Sequence, residues 1–143
     1  MAFNYASRYR LRNKYTNNLI TQSGGWDQTA GLHVYGGSDV RDDQIWYFLS
    51  VRPESFRINN LRWPGWFIAA SSSDVAFVSQ SIDSGDQYWM VKVIQDDNTY
   101  LYITSTQSGL ALRDLNAPGT SGVLSLASVV EEDARAQWCL VAI

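Results

Sequence analysis

The sequence is poor in the residues that carry redox, metal and nucleophilic chemistry: it has one cysteine and one histidine in 143 residues. Cys139 has no second cysteine, so an intramolecular disulfide is excluded. One Cys with one His also excludes a multi-thiol zinc site. A Cys139–His33 nucleophile pair is arithmetically open. However, Cys139 lies in an apolar run that recurs along the chain, where a free cysteine acts as a small hydrophobe. Charge is scarce too, at 17% of residues with a net −3. Arg8, Arg10, Arg12 and Lys14 alternate with Tyr9, Leu11 and Asn13, which reads as the solvent face of one strand. Nucleic acid asks for a broader basic stripe and is not an expected partner. No window approaches a membrane span, so membrane insertion is not expected. The opening Met1-Ala2-Phe3-Asn4-Tyr5 lacks a charged lead and an apolar core, so no signal peptide is expected. The expected location is the cytoplasm, with release from the cell left open. No cofactor is expected.

What the chain has is recurrence. Asp43-Gln44-Ile45-Trp46-Tyr47-Phe48 returns as Asp86-Gln87-Tyr88-Trp89-Met90-Val91, and in worn form as Arg135-Ala136-Gln137-Trp138-Cys139-Leu140. The tryptophans are 43 and 49 residues apart by position. A fixed-period recurrence decides architecture before anything else. In each copy a polar turn leads into Trp and then apolar residues, as in a strand with a large buried aromatic.

Strand patterns dominate the rest. Tyr9-Arg10-Leu11-Arg12 and Phe56-Arg57-Ile58-Asn59 alternate apolar and polar residues, and Tyr100-Leu101-Tyr102-Ile103 is their third counterpart. A turn and a second run follow each time: Asn17-Asn18-Leu19-Ile20-Thr21, Gly65-Trp66-Phe67-Ile68-Ala69 and Gly109-Leu110-Ala111-Leu112-Arg113. The leading Asn or Gly suits a turn position with positive φ. Third runs are Leu32-His33-Val34-Tyr35, Ala76-Phe77-Val78 and Val123-Leu124-Ser125-Leu126. Residues 1–143 therefore read as one all-β domain of about twelve short strands, a barrel or a sandwich. Its units span about 5–52, 53–97 and 98–143. The acidic stretch Ser128 to Gln137 is expected to be a solvated loop, with one helical turn as the alternative.

Three four-stranded units, each closing on Gln-x-Trp or its remnant, resemble the ricin-type (R-type) β-trefoil lectins over nearly the whole chain. The run from Tyr9 to Ile20 is most similar to the single-domain lectins of mushrooms. The resemblance implies a six-stranded barrel capped by three hairpins with pseudo-threefold symmetry. It also implies binding of terminal galactose or N-acetylgalactosamine without catalysis, on glycans and glycoproteins, in a fungal defence role and with a homodimer expected. In the family, one site per unit takes an acid after the second strand and an aromatic platform ending the third. A polar residue stands two before that aromatic, and an Asn or Asp precedes the Gln. The C–H face of galactose packs on the ring, and directional hydrogen bonds select the epimer.

Carried over by position, unit one offers Tyr35 as platform, His33 two before it, and Asp43 with Gln44. Thr21 stands where the family has its acid, and Asp27 in the next loop is a substitute. Unit two keeps Asp86 and Gln87 but has Ala69 at the acid position and Val78 or Ser79 at the platform. Unit three has Arg113 at the acid position, Ala127 or Leu126 at the platform and Arg135-Ala136 before the Gln, with Asp114 beside Arg113 as a shifted acid. Asp43 and Asp86 also suit the ordinary work of capping a turn. The two glutamines suit a structural part, bonding across that turn. Trp26 sits in a loop, and Trp63 and Trp66 flank Pro64-Gly65; an exposed ring at these places could contact sugar or a second subunit, and one of the pair could instead cover the barrel end. Asp42, Asp43, Asp96 and Asp97 contain adjacent acids, but adjacent acids in turns are ordinarily solvated, so glycoside hydrolysis is not expected. A cytosolic β-trefoil protease inhibitor, working through exposed loops, is the competing expectation.

Overall fold

The computed structural model describes residues 7–23, 32–80, 84–94, 97–130 and 132–143, with 97–99 described for their backbone alone. Its centre is set by the three recurrent tryptophans. Trp46, Trp89 and Trp138 are each fully buried. Each indole N–H reaches a carbonyl of its own unit: Ile20 at 2.9 Å, Ile68 at 2.8 Å and Leu112 at 3.0 Å. A buried indole needs such an acceptor, and here the acceptors repeat along with the rings.

Unit one comprises β1 (Arg8–Asn13), β2 (Leu19–Gln22), β3 (Leu32–Tyr35) and β4 (Trp46–Arg52). Unit two comprises β5 (Ser55–Asn60), β6 (Trp66–Ala70), β7 (Ala76–Gln80) and β8 (Trp89–Ile94). Unit three comprises β9 (Asp97–Ser105), β10 (Ala111–Arg113), β11 (Ser125–Ala127) and β12 (Trp138–Ala142). All pairings are antiparallel. Strands β1, β4, β5, β8, β9 and β12 pair in that order, and β12 returns to β1. The ring is closed, so its strands present no open edge. The hairpins β2–β3, β6–β7 and β10–β11 lie off this ring. This is the β-trefoil that the resemblance implied.

Side-chain alternation sends one residue type inward at each equivalent position. Leu11, Ile58 and Ile103 line the barrel, and Ile20, Ile68 and Leu112 line the hairpins, all of them fully buried. The turns between the first and second strands repeat as well. Asn17, Gly65 and Gly109 have φ of 62°, 86° and 74°. Only Gly and Asn adopt this left-handed conformation at little cost, as the turn signals foretold.

Two readings shift in detail. The stretch Ser128 to Gln137 is not loop throughout: it closes on a 3-10 turn at Ala134–Ala136, started by Asp133 accepting the Arg135 N–H at 3.1 Å. Equivalent 3-10 turns, Asp42–Gln44 and Gly85–Gln87, precede the other two tryptophan strands. Of the arginines assigned to a solvent face, only Arg8 is exposed, while Arg10 and Arg12 are half-buried against neighbouring strands.

Candidate functional site

The residues gathered around Tyr35 in unit one form the most site-like arrangement. Tyr35 ends β3 half-buried, and the next two residues are glycines. A Cβ on Gly37 would run into the Tyr35 phenol, so the absence of a side chain there lets the ring lie along the chain. The Tyr35 hydroxyl donates to Asp39 Oδ2 at 3.2 Å. The loop then folds back under the control of Gln44, which is completely buried. Its Nε2 donates to the Asp39 carbonyl at 3.1 Å, and its Oε1 accepts the Arg41 N–H at 3.0 Å. Gln44 is thus a positioning residue that fixes where Asp39 and Arg41 stand, in keeping with the structural part its sequence position suggested.

Arg41 lies over the aromatic ring, its guanidinium carbon 4.5 Å from the Tyr35 centroid. Its Nε is 3.4 Å from Asp43 Oδ1, and the side chains are 44% and 15% exposed respectively. Asp43 Oδ1 is buried and has no hydrogen-bond partner beyond that ion pair. The Asp43 backbone is anchored separately, because Asn60 Nδ2 donates to its carbonyl at 2.8 Å. The result is an aromatic face with one carboxylate on its hydroxyl and a second held close by the guanidinium.

The other unit-one candidates are placed differently. His33 is half-buried on β3, directly across from Thr21 on β2. Thr21 is fully buried and its hydroxyl donates to the Leu19 carbonyl at 3.1 Å, so it faces the hairpin and not an opening. Asp27 and Trp26 lie outside the described residues.

Unit two is filled by an arginine that sequence reasoning did not single out. Gln87 Oε1 accepts from Arg57 Nε at 3.1 Å and Nη2 at 2.6 Å, while Gln87 Nε2 donates to Ser79 Oγ at 2.7 Å and the Gln80 carbonyl at 2.9 Å. The Arg57 guanidinium carbon lies 3.7 Å from the Phe67 centroid. Asp86 takes a hydrogen bond from the Ser84 hydroxyl. No aromatic ends β7.

In unit three Asp114 is wholly buried. Oδ2 accepts from the Thr16 hydroxyl and from Asn18 Nδ2 at 2.9 Å, and Oδ1 accepts from the Asn116 N–H at 2.9 Å and its Nδ2 at 2.8 Å. With four donors on two oxygens, this carboxylate clasps unit three to unit one. Arg135 Nη1 secures the same loop through the Asp114 and Asn116 carbonyls at 3.0 and 2.8 Å. Arg113 pairs with Asp133 at 2.8 Å.

Asp39 and Arg41 were missed by sequence reasoning, and their only signal was charge within a polar loop. A cleft of about 930 Å³ opens elsewhere, between β8–β9 and the loop before β12, with Lys92, Tyr102, Thr104, Val129, Glu132 and Gln137 among its walls. Among the described residues no three or more His, Cys, Asp or Glu side chains converge to hold a metal ion.

No family model matches this chain, and no curated protein does. Solved structures do. The designed threefold-symmetric protein ThreeFoil is 22% identical, with a TM-score of 0.79 over 95% of this chain and 99% of that one. SeviL, solved bound to asialo-GM1 saccharide, is 18% identical, with a TM-score of 0.73 over 94% and 95%. A mosquitocidal holotoxin is 14% identical, with a TM-score of 0.81; the match covers 96% of this chain and 17% of the holotoxin. At these identities the likeness is one of fold.

Proposed function

We propose that this protein is a lectin that captures glycans ending in galactose or N-acetylgalactosamine, without catalysis, and that unit one is its principal site. The observation that carries this reading is the Tyr35 ring and the Asp43 carboxylate gathered on one guanidinium, Arg41, with Asp43 Oδ1 buried and held by that ion pair alone. A sugar presents one C–H face to an aromatic ring. Its hydroxyls then supply donors to a carboxylate whose neighbour is the Arg41 guanidinium, and mismatched epimers leave that acceptor short of a donor. A saccharide-bound protein of the same fold, SeviL, supports the reading. In this scheme Tyr35 is the platform, Asp43 the hydroxyl acceptor, His33 a neighbour on the same strand and Gln44 the residue that holds the loop. Asp86 and Gln87 would serve a weaker second site only if Arg57 moves aside. Asp114 is left to structure. Single shallow sites bind weakly, so useful avidity comes from several sites or from a homodimer.

The test is a glycan array with the purified protein, repeated with Tyr35→Ala and Asp43→Ala. Binding confined to terminal galactose or N-acetylgalactosamine, and lost in both variants, is the expected result. A blank array with folded protein rejects the lectin reading and sends the chain to assays against papain-like and trypsin-like proteases.

A further inference from the structure

The unit-one platform already has an occupant, and its chemistry is informative. Arg41 lies over Tyr35 at 4.5 Å and beside Asp43 at 3.4 Å. A cation over a tyrosine face, next to a carboxylate, is a cation-binding arrangement. The local charge agrees: residues 39–43 carry Asp39, Asp42 and Asp43 with Arg41, a net −2, and Asp43 is the one paired with the guanidinium. Asp39 is engaged by the Tyr35 hydroxyl, and Asp42 is exposed. The Gln44 amide is used on both ends within the loop, so it offers a ligand nothing. Arg41 itself is held by two contacts that are weak when exposed, an ion pair and a cation–π contact.

We propose that Arg41 is an internal stand-in for a cation on the ligand, and that this site prefers a galactose-class amino sugar with a free, protonated amine over its N-acetylated counterpart. The proposal rests on the carbohydrate-binding reading and narrows it. On binding, the ammonium takes the place of the guanidinium beside Asp43, the C–H face of the sugar covers Tyr35, and Arg41 swings into solvent. Acetylation of the amine removes the charge and leaves Asp43 without a cation. A sulfated or carboxylated sugar meets three aspartates and is repelled. Arg41 is therefore a competitor, and its removal strengthens the binding of the amino sugar.

The test is an NMR titration of the isotope-labelled full chain with galactosamine, N-acetylgalactosamine and galactose. It is run at about pH 6, below the usual range of an amine and above that of a carboxylate. The wild type is compared with Arg41→Ala and Asp43→Asn, at low salt and at about 1 M salt, where the screening length is only about 3 Å. The expected result is galactosamine bound about tenfold more tightly than N-acetylgalactosamine, about 1.4 kcal/mol. The gap should widen in Arg41→Ala and close in Asp43→Asn and in high salt, with shifts centred on Tyr35. Equal or tighter binding of the acetylated sugar, with galactose still bound, overturns the amine preference and leaves the lectin reading in place. Failure of a folded protein to bind all three sugars sinks both.

Discussion

Asn13 donates its side-chain amide to the Arg135 carbonyl at 2.8 Å, and so ties the first strand to the turn that precedes the last. Its Oδ1 also accepts the N–H groups of Tyr15 and Thr16 at 3.0 and 3.1 Å. Asn60 repeats this link to the Asp43 carbonyl. Ser105 holds the third equivalent place, caps its own turn through Gln107 and Ser108, and is too short to reach across. Asn13→Ala strips three hydrogen bonds from a fully buried site and should cost about 2–3 kcal/mol. Ser105→Asn, which extends a donor toward the Asp86 carbonyl, should stabilise by about 1 kcal/mol. Urea unfolding of the two variants checks both signs. An unstabilised Ser105→Asn would mean that the third joint departs from the symmetry of the other two.

The tryptophans make a second comparison possible. Trp46→Phe, Trp89→Phe and Trp138→Phe each delete the same indole–carbonyl bond and leave a similar void. Each should therefore cost about 2–4 kcal/mol, and the three losses should agree within about 1 kcal/mol. Thermal unfolding of the three variants tests this. One mild substitution among them would show that the units do not share one cooperative core.

The period of the tryptophans and the turn residues Asn17, Gly65 and Gly109 made the fold legible, because both follow from short-range rules: burial of a large ring and tolerance of positive φ. The site was legible only in part. Tyr35, Asp43 and Gln44 could be named because the resemblance carries them over position by position. Arg41 could not, since its position over Tyr35 depends on a loop folded back by a buried glutamine. The buried, fully bonded state of Asp114 was not legible for a related reason. Its partners Thr16 and Asn18 are 98 and 96 residues away in sequence, and nothing local signals that its carboxylate turns inward.

That inward carboxylate gives a third prediction. Asp114→Asn preserves shape but presents two amide hydrogens to a site where every partner is already a donor. The cost should be about 2–4 kcal/mol, because at least one buried donor loses its acceptor. Urea unfolding without sugar measures it. A variant of unchanged stability with weakened sugar binding would instead return Asp114 to the list of ligand contacts.

Gly37 offers the most direct control on the unit-one platform. A methyl group there collides with the Tyr35 phenol, so Gly37→Ala must push the ring away from Asp39 while leaving the ring itself in the protein. Gly37 is exposed in a loop, and substitutions at such places usually change stability by less than about 0.5 kcal/mol. If the ring must lie where it does to meet a sugar, Gly37→Ala should weaken galactose binding about tenfold, about 1.4 kcal/mol. Tyr35→Ala should weaken it further, with a stability change of no more than about 1 kcal/mol. NMR titration for affinity and urea unfolding for stability separate the two quantities. Unchanged binding in Gly37→Ala alongside lost binding in Tyr35→Ala would show that the ring acts without a fixed orientation. A large stability loss in Tyr35→Ala with binding intact would reassign the ring to the packing of the hairpin.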